Sequence, residues 1–177
     1  MFNIPNKQEN IAEYLLYMWQ TEDILRAYDL DIDQIQQNLI EPAHLSEEKN
    51  KEAHEWYEGL IMMMKSEGVQ KEGHLQINKN IITDLTDLHL RLLNDPKEAA
   101  YMATYYKTLP FIVELRAKSN RKDIPETETC FTAVYGYLLL KLQKKEISHE
   151  TQTAIDQIIR FLRLLSEKYK TIDQEEE

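Results

Sequence analysis

Four glycines and five prolines are all that this chain of 177 residues offers for tight turns. A many-stranded sheet needs a turn roughly every ten residues, usually built on Gly, Pro, Asn or Asp. The chain is therefore read as all-α, and its apolar residues agree. They recur at three- and four-residue steps, the spacing that lines side chains along one side of an α-helix. In a first helix expected from about Asn10 to Tyr28, Ile11, Tyr14, Leu15, Met18 and Leu25 form such a stripe, widened by Leu16, Trp19 and Ile24.

The breaks between helices follow from capping chemistry. Asp31-Ile32-Asp33-Gln34 predicts a short helix that ends before Pro42, with Asp31 bonding the first turn. Ser46, followed by Glu47 and Glu48, starts a long helix by capping it and placing negative charge at its positive end. That helix carries Ala53, Trp56, Tyr57, Leu60 and Met64 and should close at Gly68. A fourth helix, with Leu75, Ile81, Ile82, Leu85, Leu88 and Leu92, runs back antiparallel to it and stops at Asn94.

Asp95-Pro96-Lys97-Glu98 combines a capping aspartate, a proline suited to the first helical position and a glutamate three residues on. It predicts the direct start of a fifth helix reaching about Ser119. Pro110 lies inside that helix and has no N–H to donate, while its ring crowds the carbonyl of Tyr106, so a kink is expected there. Asp123-Ile124-Pro125-Glu126 repeats the start signal for a sixth helix from Pro125 to Lys144. This helix is apolar on two sides, through Phe131, Val134 and Leu138 and through Tyr137 and Leu140, and is expected to be enclosed by its neighbours. Ser148 caps the last helix, whose stripe includes Ile155, Ile158, Leu162 and Leu165. The expected architecture is a single-domain helical bundle of about six helices over residues 1–172, largely antiparallel with short loops, followed by an acidic disordered tail at 173–177.

Charge limits the partners. The net charge is −10, with 18 acids against 8 bases up to residue 95 and 13 of each from residue 96 onward. A nucleic-acid binder needs a basic face to displace counterions from phosphates, so nucleic acid is not the expected partner. The longest apolar stretch, Tyr135 to Leu140, is far below the roughly 20 residues of a membrane span. Residues 1–10 lack the basic and apolar regions of an export signal. The single cysteine, Cys130, beside Phe131 in an apolar helix, suits a small buried thiol in a reducing compartment. These features set the expectation of a cytoplasmic protein that does not engage membranes.

No pattern of catalytic chemistry is complete. Glu41-Pro42-Ala43-His44 and Glu146-Ile147-Ser148-His149 have the Glu-x-x-His spacing of helical di-metal sites, but one crosses a proline and the other a helix-helix turn. His54-Glu55 would need a second histidine at position 58, where Glu58 stands. Four scattered glycines build neither a phosphate loop nor a dinucleotide fingerprint. No catalytic residue, metal or cofactor is expected.

Two groups of residues remain as a candidate pocket or interface. Trp19, Glu22 and Arg26 sit one and two turns apart on the first helix, with Asp23 between them. They read either as an exposed ion pair or as a partly buried charged pair facing a partner. Tyr101, Tyr105 and Tyr106 precede Pro110 and read either as core tyrosines satisfied by polar neighbours or as the lining of a pocket. Basic residues gather at helix C-termini, where they complement the helix dipole. Arg116, Lys118, Arg121, Lys122, Lys168 and Lys170 would form a single patch if the fifth and seventh helices ran parallel.

The stretch from Ile11 to Gln20 with Glu22-Asp23, and Met64-Lys65-Ser66-Glu67-Gly68 with Gly73-His74, resembles an uncharacterised bacterial domain-of-unknown-function family. The resemblance covers nearly the whole chain and implies a small helical cytosolic protein, with no site residue to carry over. The expected function is a non-enzymatic protein-interaction or homodimeric module, working through the wide apolar faces of the first and last helices. The alternative is a small-molecule-binding domain with an aromatic pocket between helices.

Overall fold

The computed structural model describes residues 4–119 and 123–175, and all regular structure among them is helical. The α-helices are α1 (Ile11–Ala27), α2 (Ile32–Ile35), α3 (Glu47–Ser66), α4 (Gln76–Leu93), α5 (Ala99–Lys118), α6 (Glu126–Leu142) and α7 (His149–Glu175). The chain divides into two compact units. Of the described residues, 4–6 and 13–80 form one; 7–12, 81–119 and 123–175 form the other. Helices α1 and α4 therefore contribute residues to both.

In the first unit the core gathers Met18 and Leu25 of α1, Ile35 and Ile40 after it, Ala53, Leu60, Ile61 and Met64 of α3, and Val69 and Leu75 from the α3–α4 turn. The chain leaves α1 through Asp29 and Leu30, both in the left-handed region at φ 54° and 55°. The Asp31 carboxylate then accepts the N–H groups of Asp33 and Gln34. Beyond α2 the helix widens into a π turn at Gln36–Ile40 and closes in a 3-10 turn at Glu41–Ala43, where Pro42 occupies the first turn. Ser46 caps α3 by accepting the Lys49 N–H. The end of α3 is a Schellman closure: Gly68 takes φ +71° and the Val69 N–H returns to the Met64 carbonyl at 3.0 Å.

In the second unit α5, α6 and α7 pack against one another. Tyr101, Tyr105, Thr108 and Ile112 of α5 face inward, as do Cys130, Phe131, Val134 and Tyr137 of α6. Ile158, Phe161, Leu162 and Leu165 of α7 complete this core with Ile81, Leu85, Leu88 and Leu92 of α4. Ala12 N–H donates to Ser166 Oγ at 3.2 Å, tying the start of α1 to α7 within this unit.

Several local details differ from the sequence reading. Asp95 accepts the Lys97 N–H at 2.9 Å, but what it caps is a single 3-10 turn, Pro96–Glu98, before α5 begins at Ala99. Glu98 does not fold back on Asp95, because Lys168 holds its carboxylate at 2.7 Å. Helix α6 starts on Pro125 without a side-chain cap, and the Ile124 carbonyl accepts instead from Arg116. The helical span of α5 continues through Pro110, which lies exposed. Leu138, expected on one side of α6 with Phe131 and Val134, is open to solvent, as is Leu142 with 65% of its surface accessible, whereas Tyr137 from the other apolar side is buried. Among the described residues no helix is long and apolar enough to cross a membrane.

Candidate functional site

Trp19, Glu22 and Arg26 fall at positions i, i+3 and i+7 of α1, so one side of the helix carries all three. Glu22 is completely buried. Its Oε1 accepts the Leu75 N–H at 2.9 Å and the Asn78 amide at 2.6 Å, and its Oε2 takes the His74 Nδ1–H at 2.6 Å. The His74 ring stacks on Trp19, with centroids 4.3 Å apart and planes 13° from parallel. Arg26 pairs with Asp23 at 2.9 Å and forks to the carbonyls of Val69 and Gly73. The charged residues that looked like one ion pair are thus divided. Arg26 and Asp23 form the pair, at 16% and 46% side-chain exposure, while Glu22 serves the turn.

The consequence is mechanical. Leu75 N–H and Asn78 lie at the start of α4, where the first N–H groups have no helical partner and the dipole favours an anion. Glu22 fills that position from across the unit, and Glu67 adds a second carboxylate on the Gln76 N–H at 2.6 Å. Arg26 meanwhile takes two carbonyls of the preceding turn. A carboxylate and a guanidinium one turn apart on α1 therefore clamp the α3–α4 connection from both polarities. His74 and Asn78, the partners that complete the clamp, gave no signal in the sequence because they lie more than 50 residues from Glu22. Among the described residues, Asn78 Oδ1 and Arg26 Nε are buried without a hydrogen-bond partner.

The tyrosines of α5 separate by burial. Tyr101 is fully buried and hydrogen-bonded through its hydroxyl to His89 Nδ1 at 2.7 Å. Tyr105 donates to Glu126 Oε2 at 2.6 Å, and Arg116 Nη1 lies 3.9 Å from the other carboxylate oxygen. Phe161 fills the space between, edge-on to His89 with centroids 5.5 Å apart. Burial lowers the His89 pKa despite the nearby Glu126, and burial raises those of Tyr101 and Tyr105. The group is neutral at its centre, and both hydroxyls have protein partners. Burial likewise pushes the Cys130 thiol up, keeping it protonated and a poor nucleophile. Tyr106 touches this group only from outside: its ring lies against Tyr105 with centroids 5.3 Å apart, while 61% of its surface is accessible.

Around Tyr106 a different pattern appears. Ala99, Ala103, Tyr106, Pro110, Val113 and Ala117 are all exposed, and their steps alternate four, three, four, three, four. That spacing traces one line along α5, roughly opposite its buried line of Tyr101, Tyr105, Thr108 and Ile112. On α6, Leu138 and Leu142 add further exposed apolar surface. The apolar residues of α1 and α7 behave otherwise: Leu15, Met18, Trp19 and Leu25, like Ile158, Phe161 and Leu165, are buried.

Of the basic residues expected to gather, Lys118 pairs with Glu114 at 2.6 Å, Lys168 with Glu98, and Arg116 with the Glu126 network. Arg121 and Lys122 lie outside the described residues. Among the described residues no three His, Cys, Asp or Glu side chains are grouped to hold a metal ion. The first unit also has a shallow open groove of about 710 Å³, lined by Gln36, Asn50, Lys51, His54, Glu55 and Glu58 among others.

No curated protein and no solved structure matches this chain. One family model, described as Domain of unknown function (DUF4924), matches residues 3–176. That span takes in both compact units and every helix described above, and the chain belongs to this domain-of-unknown-function family.

Proposed function

We propose that this chain is a non-enzymatic interaction module whose working surface is the exposed apolar side of α5, extended by α6. The observation that carries the reading is the line through Tyr106 and Val113, 61% and 57% exposed, in a helix whose other side is fully buried. Exposed apolar residues scattered singly need no explanation, but an ordered row along a whole helix has the form of a surface awaiting a partner. The polar clusters support the same reading from the other direction. Glu22 and Arg26 bond a turn, and Tyr101 and Tyr105 bond His89 and Glu126, so their polar atoms are engaged in holding the fold.

A photo-crosslinking residue placed at position 113, at position 142 and, as a control, at the exposed Arg163 tests the reading inside cells. Positions 113 and 142 should give discrete crosslinked species, and position 163 should not. Equal labelling at all three positions would remove the basis for an interaction surface on α5 and α6.

A further inference from the structure

We infer that the partner of the exposed α5 line is a second copy of this chain, paired antiparallel through α5 itself. The inference rests on the reading of α5 as an interaction surface and names its occupant. The alternating four-three spacing from Ala99 to Ala117 averages 3.6 residues, the repeat of the α-helix itself, so the exposed line runs straight along α5 and offers a second straight helix a continuous row to lie against. Small side chains at Ala99, Ala103 and Ala117 let the axes approach closely.

Charge selects both the copy and the direction. Lys107 and Glu114 stand exposed on one flank of the seam, seven residues apart and of opposite sign. In an antiparallel pair related by a two-fold axis, each flank meets its own counterpart. Lys107 then faces the partner's Glu114, and Glu114 faces the partner's Lys107, so two ion pairs form by symmetry. The axis passes close to Phe111, which places Tyr106 over the partner's Ala117 and Pro110 beside the partner's Val113, large against small. A parallel pair would instead set each flank against the opposite one, bringing Lys107 to the partner's Met102 and Glu114 to the partner's Leu109, with no charge matched. The distribution of charge over the chain also permits self-pairing here. The excess of −10 lies before residue 96, whereas the half that carries α5 has 13 acids and 13 bases. Glu114 is held by Lys118 within its own helix, an exposed contact at 51% and 73% side-chain exposure that it can share.

Sedimentation velocity of the full chain from about 1 to 300 μM, a range spanning moderate self-affinities, tests the inference. The wild type should reach twice the 21.0 kDa chain mass. Val113→Glu should remain monomeric while keeping the wild-type circular dichroism, since Val113 is exposed. Lys107→Glu and Glu114→Lys should each weaken the dimer by roughly tenfold, because each puts two like-charge contacts into the pair, and the double variant should recover to within about threefold. A wild type that stays monomeric overturns the inference, as does a dimer indifferent to Val113→Glu or a double variant no better than the single ones. A monomeric wild type that still crosslinks from position 113 in cells would remove self-pairing alone and leave the interaction reading intact.

Discussion

Glu22 carries the largest structural consequence of any polar residue in the first unit. Replacing it with alanine leaves the Leu75 N–H, the Asn78 amide and His74 without their acceptor in a buried place. Glu22→Ala should therefore cost about 3 kcal/mol in urea denaturation, and Glu22→Gln, which keeps one acceptor oxygen, about half of that. His89 contributes to acid sensitivity in the second unit. Burial lowers its pKa in the folded chain below the ordinary 6.5, so on acidification the unfolded chain binds the proton first. Stability is then complete above about pH 6.5 and declines as the pH falls through that value toward the lowered one. His89→Gln, which can still bond Tyr101, should flatten the fall in melting temperature between about pH 6.5 and 5; an unchanged slope would assign that sensitivity to other groups. The sequence pointed to Trp19, Glu22 and Arg26 through their helical spacing. It was silent on His74, Asn78 and His89, since nothing local distinguishes a histidine that stacks or bonds in a core from one on the surface.

The helices themselves were legible wherever the signal was local. Gly68 was expected as the end of α3, and its left-handed backbone with the Val69 return bond is a cap that a short peptide can specify. A Cβ at this position would meet nothing within 4 Å, so Gly68→Ala isolates the backbone penalty. It should lower stability by about 1 kcal/mol with no change in packing, read as a shift of the denaturation midpoint at constant slope. The Pro96 turn was less legible, because what keeps Glu98 from completing a capping box is Lys168, 70 residues away. Helices α5 and α6 were legible as helices and ambiguous in orientation. Each is apolar on two sides, and α5 repeats the same four-three spacing inside and out, so the pattern alone could not say which line faces solvent.

At the scale of the whole molecule, α1 and α4 each belong to both compact units. A helix that melts over only part of its length leaves fresh ends with unpaired N–H and carbonyl groups. We expect calorimetry to record one transition with matching calorimetric and van't Hoff enthalpies, the behaviour of a single cooperative domain. Two resolved transitions would mean that the units unfold independently. The sequence alone determined that the chain is helical, where most of its helices begin and end, and that it belongs to a family without an assigned activity. Those properties depend on caps, turn residues and a period of 3.6, all contained within a few neighbouring residues. Tertiary structure decided which apolar sides are buried, moving the exposed surface from α1 and α7 to α5 and α6, and which charges meet. Burial and pairing depend on residues that the fold brings together from 50 or more positions apart, as with Glu22 and His74, and no local pattern encodes that proximity.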